Sequence, residues 1–180
     1  MEHAAIVPLR LCTLYRDLEG VRRMLRENRE SLAVSLAQVA ESTEWGMKVF
    51  FDGERALEDE AEDGGRGGSG REYLAGRQRQ RQTANRLDAL CAECAEEVHL
   101  ALSAIARADR LNPVQQPETH GRSAEMILNG AYLVDRGQAG ELPGVIAPLA
   151  ERWGHHGFML ELTGPWPPYN FVSESAGIVS

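Results

Sequence analysis

Residues Glu44 to Asp52 read EWGMKVFFD, with Trp45, Met47, Val49 and Phe51 alternating against Glu44, Gly46, Lys48 and Phe50. A period of two sends successive side chains to opposite faces of a pleated strand, so this stretch predicts a β-strand buried on one side. How the strand is used depends on its neighbours in sequence.

Upstream, Ala4 to Tyr15 is rich in Ile, Val, Leu and Tyr and is interrupted by Pro8, which suits an earlier strand bulged at the proline. Asp17 then stands where an N-cap belongs. Leu18, Val21 and Leu25 recur at helical spacing, and Leu32, Leu36 and Val39 repeat the pattern over Ser31 to Ala40. One broken helix or two helices are expected there. Downstream, residues 53–70 carry Glu54, Glu58, Asp59, Glu60, Glu62 and Asp63 followed by GGRGGSG, which has too little apolar area to offset its ordering entropy. It reads as a flexible acidic, glycine-rich insertion without a site.

Arg71 to Leu111 contains no proline and only Gly76 as a breaker. This predicts a single helix of about 40 residues, roughly 60 Å long. Its apolar stripe runs through Leu87, Leu90, Cys91, Cys94, Val98, Leu102 and Ile105, so that face packs on a sheet or another helix. Met126 to Val134 reads as a third strand, Gly140 to Trp153 as a short helix begun at Pro143, and Phe158 to Leu162 as a fourth strand. With the long helix taken as an insertion between strands two and three, the remainder is βαββαβ. The expected fold class is α+β: one modified ferredoxin-like domain over residues 1–180, a four-stranded antiparallel sheet with helices.

The bulk composition narrows the function. Among 180 residues, 27 acidic against 19 basic side chains leave a formal charge of −8, which repels phosphate backbones and anionic lipid surfaces. Neither nucleic acid nor membrane is expected as a partner. Cys12, Cys91 and Cys94 are too few, and odd in number, for a secreted disulfide framework, which points to the cytoplasm. No basic leader and no run of about 18 apolar residues is present.

Candidate chemistry is sparse. Cys91 and Cys94 with His99 resemble half of a zinc site, but both thiols lie on the apolar stripe, where free cysteine behaves as a small hydrophobe. His155 and His156 lack a visible Ser, Cys or Asp partner and read as a turn into the last strand. Arg77, Arg79 and Arg81 are spread around a helix rather than aligned, and read as a solvated face. The glycine run does not end in the Lys-Ser/Thr of a phosphate loop. No catalytic residue, cofactor, metal or small-molecule substrate is expected.

The most unusual stretch is Thr163 to Tyr169, TGPWPPY, which combines a permissive glycine, three prolines and two large aromatics. From the residues alone, the plainer reading folds Trp166 and Tyr169 back over the sheet as a rigid cover. The functional reading exposes them as an aromatic–proline docking surface.

These residues resemble a known family, the gas vesicle synthesis proteins GvpL/GvpF. The likeness is carried by ELTGPWPPYNFV at Glu161 to Val172, MILNGAYLVDR at Met126 to Arg136, STEWGMKVFFD at Ser42 to Asp52 with GREYL at Gly70 to Leu74, and VPLRLCTLY at Val7 to Tyr15. The resemblance implies a non-enzymatic cytoplasmic accessory protein of gas vesicle assembly. Its implied partners are the hydrophobic shell protein GvpA and other accessory Gvp proteins, and its C-terminal domain is implied to be ferredoxin-like. On the motif positions, Trp45, Tyr73, Tyr132, Gly164, Pro165, Trp166, Pro167, Pro168 and Tyr169 become candidate interaction residues. The family usually carries a further α+β domain ahead of the VPLRL-like strand, so most of that domain is expected to be lacking. The alternative reading is a ferredoxin-like regulatory or small-ligand-binding domain. An enzyme resting on His155, His156 and the Cys91/Cys94 pair comes third.

Overall fold

The computed structural model describes residues 5–9, 13–53 and 70–172. The expected insertion therefore falls almost wholly outside the described residues. Helices α1 (Leu18–Glu27) and α2 (Arg29–Val39) come first, then strand β1 (Ser42–Phe51), the long helix α3 (Gly70–Ser103), β2 (Ala108–Leu111), the one-turn α4 (Pro117–His120), β3 (Glu125–Asp135), α5 (Leu142–Gly154) and β4 (Phe158–Trp166).

The four strands form one sheet in the order β2-β3-β1-β4, every neighbouring pair antiparallel. Counted from β1, the elements of sheet and crossover run β1-α3-β2-β3-α5-β4. That is the βαββαβ order of a ferredoxin-like domain, in which each helix joins two strands that flank a third.

The sheet is thus the expected one, but two of its parts differ from the sequence reading. Residues 5–9 and 13–15 form no strand, and α3 is not an insertion: it is the first crossover helix of the motif itself. The missing strand is β2, which lies at the end of the stretch read as helix. Nothing in ALSAIARADRL breaks a helix locally. The hairpin with β3 ends it, with Arg107 N–H donating to Leu133 O at 2.8 Å and Asn112 N–H to Asn129 O at 2.8 Å. Tertiary pairing overrides helical propensity here. α3 accordingly has 34 residues and spans about 50 Å.

The alternation in β1 sorts as its period requires. Met47, Val49 and Phe51 face a core with Leu128, Tyr132 and Val134 of β3 and Phe158 of β4, beneath Cys94, Val98 and Leu102 of α3 and Leu142, Ile146, Leu149 and Trp153 of α5. Glu97 locks the two helices together, accepting from Trp153 Nε1 at 2.9 Å and from Arg152 at 2.8 Å. The opposite face is partly covered as well. Phe50 is buried with Ala124 and Met126, the Arg122 guanidinium lying 4.4 Å from its ring centre, and Val39 of α2 packs with Ala131, Leu133 and Phe171.

Asp17 caps α1 as expected, its carboxylate accepting from Gly20 N–H at 2.7 Å. At Asn28 the backbone departs from helical angles, yet Asn28 N–H still reaches Met24 O and Leu32 N–H reaches Asn28 O. α1 and α2 therefore form one kinked helix.

Candidate interaction surface

The proline–aromatic run is held by the first half of β1. Glu44 lies opposite Trp166 and Gly46 opposite Thr163, so β4 carries one extra residue between them, a bulge at Gly164 and Pro165. Gly164 has φ +134°, and a Cβ there would stand 3.0 Å from Glu44 O and 3.0 Å from the Trp45 ring. Only glycine fits so close a backbone approach. The peptide bond from Gly164 to Pro165 is cis. On the neighbouring position, Thr163 Oγ1 donates to Gly46 O at 3.5 Å and accepts from Trp166 Nε1 at 3.3 Å.

Beyond Trp166 the chain turns sharply, with Tyr169 N–H donating to Pro167 O at 2.8 Å and Phe171 N–H to Pro168 O at 3.2 Å. Pro168 and Phe171 are buried. Asn170 donates through its backbone N–H and its side-chain amide to the two carboxylate oxygens of Glu44, at 2.8 and 2.6 Å, while Arg110 donates to its carbonyl at 3.3 Å. Glu44 is only 6% exposed, so these bonds satisfy an anion that would otherwise be stranded away from water.

With the backbone fixed from both ends, the two large aromatics point outward. Trp166 and Tyr169 are each 54% exposed, and Met159 adds apolar area on the same strand at 48%. The plainer sequence reading, a cover folded over the sheet, is therefore met by Pro168 and Phe171 and not by the aromatics it named. β4 is also an end strand of the sheet, so its outer backbone edge faces away from the other three.

The remaining motif residues are placed elsewhere. Trp45 is part-buried against the main core, its indole donating to Thr43 Oγ1 at 3.1 Å. Tyr132 is fully buried, its hydroxyl 3.0 Å from His99 Nδ1, and burial pushes its phenol far above the ordinary range. Gly130 leaves it room, since a Cβ there would lie 2.6 Å from the Tyr132 hydroxyl. Tyr73 lies in the first turns of α3, and its side chain lies outside the described residues. The structure thus brings Gly164, Pro165, Trp166 and Tyr169 together around Trp45 and Glu44, and keeps Tyr132 in the core. Sequence reasoning missed Glu44 and Asn170 as partners. Neither carries a local signal, because the pair is 126 positions apart.

The residues weighed for chemistry lie on α3 and at the end of α5. Burial pushes the Cys94 thiol up to about 12, with Cys91, Glu97 and Glu93 adding to it against the lowering effect of Arg152; burial, Glu125 and Asp88 push Cys91 up to about 11. Shifts in this direction favour the protonated thiol near neutral pH. His155 and His156 are exposed at the end of α5, His156 edge-on to Trp153. Among the described residues no three His, Cys, Asp or Glu side chains are grouped to hold a metal. The cleft between sheet and helices is filled by the core side chains, and an open depression of about 490 Å³ lies at the surface where α5 meets β4. Among the described residues no helix is long and apolar enough to cross a membrane.

Fold and surface together define the class: an antiparallel α+β domain that presents an anchored proline–aromatic ridge. The sequence matches the family described as gas vesicle synthesis protein GvpL/GvpF over residues 1–173. It is 35% identical over 172 residues to gas vesicle protein L of Streptomyces sp. (strain CB03234), covering 92% of this chain and 62% of the relative. It is 24% identical over 173 residues to gas vesicle protein F2 of Halobacterium salinarum, covering 96% and 61%. The crystal structure of GvpF from Anabaena sp. PCC7120 superposes with a TM-score of 0.70 at 15% identity, over 94% of this chain and 67% of that one, a likeness of fold. The chain belongs to the GvpL/GvpF family of gas vesicle synthesis proteins, and it spans just over three-fifths of the length of the curated relatives it matches.

Proposed function

We infer that this chain is a non-enzymatic accessory protein of gas vesicle assembly, acting in the cytoplasm. It binds the hydrophobic shell protein GvpA and other accessory gas vesicle proteins. The observation that carries this reading is the pair Trp166 and Tyr169, half-exposed on a backbone that Gly164, Pro168, Asn170 and Phe171 hold in place. Rigid aromatics bring large contact area at little entropic cost on binding, and they are enriched where proteins recognise apolar partners. The end strand β4 beside them offers backbone groups to an extended partner segment. Family membership supports the gas vesicle context, and the high thiol pKa values of Cys91 and Cys94 give no support to thiol chemistry.

Complementation tests the role. A strain deleted for this gene and carrying the wild-type copy is expected to regain gas vesicles, whereas a copy with Trp166→Ala and Tyr169→Ala is not, despite equal protein levels. Normal vesicles in the uncomplemented deletion strain would overturn the proposal.

A further inference from the structure

Arg110 of β2, Ala131 of β3, Gly46 of β1 and Thr163 of β4 stand opposite one another in register, forming one row across the sheet from edge to edge. Residues directly opposite in an antiparallel sheet share a face. Ala131 packs with Val39, Leu133 and Phe171, so the row lies on the face away from the main core. Its middle carries little bulk, since Gly46 has no side chain and a Cβ there would stand 2.8 Å from Thr163 Oγ1. The chain leaving the ridge crosses back over that low middle. Asn170 bonds Glu44 of β1, Phe171 packs on Ala131 and Leu133 of β3, and Val172 lies against the same cluster as Ala108 of β2.

Asn170 is held from two strands at once. Its backbone N–H and side-chain amide donate to Glu44 on β1, and its carbonyl accepts from Arg110 Nη1 on β2 at 3.3 Å. The backbone at Asn170 cannot rotate without breaking one of these bonds. We propose that Arg110 is a positioning residue for the ridge: from the edge of the sheet opposite Trp166, it acts through Asn170 to fix the returning segment that carries Trp166 and Tyr169. The proposal rests on the reading of those aromatics as partner-facing. Exposed aromatics bind more tightly when their backbone is already ordered, because association then costs less entropy. A guanidinium closing the carbonyl side of Asn170 supplies that order from β2, while Glu44 supplies it from β1.

Hydrogen exchange of the full chain, read amide by amide by NMR, tests it in Arg110→Ala. The Asn170 and Phe171 amides, which donate to Glu44 and to Pro168 O, are expected to exchange about fivefold faster than in wild type. The Arg107 and Asn112 amides bond β3 on either side of Arg110, and they keep their wild-type rates. Arg110→Lys, which retains a cationic donor, restores most of the protection. In capture of the shell protein, Arg110→Ala is expected to retain about fivefold less at an unchanged thermal midpoint. Three results would each overturn the proposal: unchanged exchange at Asn170 and Phe171, equal acceleration at Arg107 and Asn112, or full retention by Arg110→Ala where the Trp166→Ala/Tyr169→Ala variant loses it. A wild-type chain that retains no shell protein would instead overturn the function proposed above, and the exchange rates would still decide the role of Arg110.

Discussion

Asn170 holds both carboxylate oxygens of Glu44, through its backbone N–H at 2.8 Å and its side-chain amide at 2.6 Å, and so ties the end of the proline run to the first strand of the sheet. The carboxylate is nearly inaccessible to water. Removing its amide partner leaves a buried anion short of a donor. Asn170→Ala should therefore lower unfolding free energy by about 1.5–3 kcal/mol, measured by urea titration. Glu44→Gln, which keeps one acceptor and removes the charge, should cost less. Unchanged stability in Asn170→Ala would remove the tie from the account.

Gly164 gives a test of backbone crowding with a built-in control. At φ +134° with Glu44 O and the Trp45 ring 3.0 Å from a notional Cβ, Gly164→Ala is expected to cost about 2–3 kcal/mol. Gly121 caps α4 at φ +70° with nothing within 4 Å, so Gly121→Ala should cost only about 1 kcal/mol. Thermal midpoints of the two variants decide it, and equal shifts would contradict the bulge geometry.

The proline run divides between folding and display, and alanine substitutions should separate the two. Phe171 is buried against Val39, Ala131 and Leu133, so Phe171→Ala should cost about 3–5 kcal/mol. Trp166→Ala and Tyr169→Ala, at exposed positions, should each change stability by less than about 1 kcal/mol. Denaturant midpoints give the comparison.

The thiols set a pH dependence. Both cysteines keep their proton more tightly in the folded chain, up to about 11 and about 12 against an ordinary 9.0. Their contribution to stability is therefore complete below pH 9 and declines as pH rises from there through 11 and 12. Stability measured across that window should fall with pH, and less steeply in Cys94→Ala. A thiol-reactive dye should label Cys94 only as the chain unfolds, and labelling at the unfolded rate under native conditions would contradict its burial.

What the sequence made legible follows from the range of the forces involved. The alternation of Trp45 to Phe51 and the cap at Asp17 are local patterns, and both correspond to the observed strand and helix start. β2 was hidden because Ala108 to Leu111 has no strand signature of its own and becomes a strand only by pairing with β3. The stretch before Tyr15 reads as a strand because it is apolar, yet its described residues 5–9 and 13–15 form none, and the place beside β3 is taken by β2. Phe50 reads as solvent-facing by period, and only the distant Arg122 and Met126 reveal that its face is covered. At the surface, composition marked the proline–aromatic run, but the orientation of Trp166 depends on the bulge opposite Glu44 and Gly46, which no local pattern encodes.

The central proposal is that Trp166 and Tyr169 face a partner, proposed to be the shell protein GvpA. Co-expression of the two proteins with capture on this chain, followed by quantification of the co-purifying shell protein, tests it most directly. Wild type should retain the shell protein, and the Trp166→Ala/Tyr169→Ala double variant should retain about tenfold less or lower at an unchanged thermal midpoint. Equal retention by the folded double variant, or none by wild type, would contradict the account.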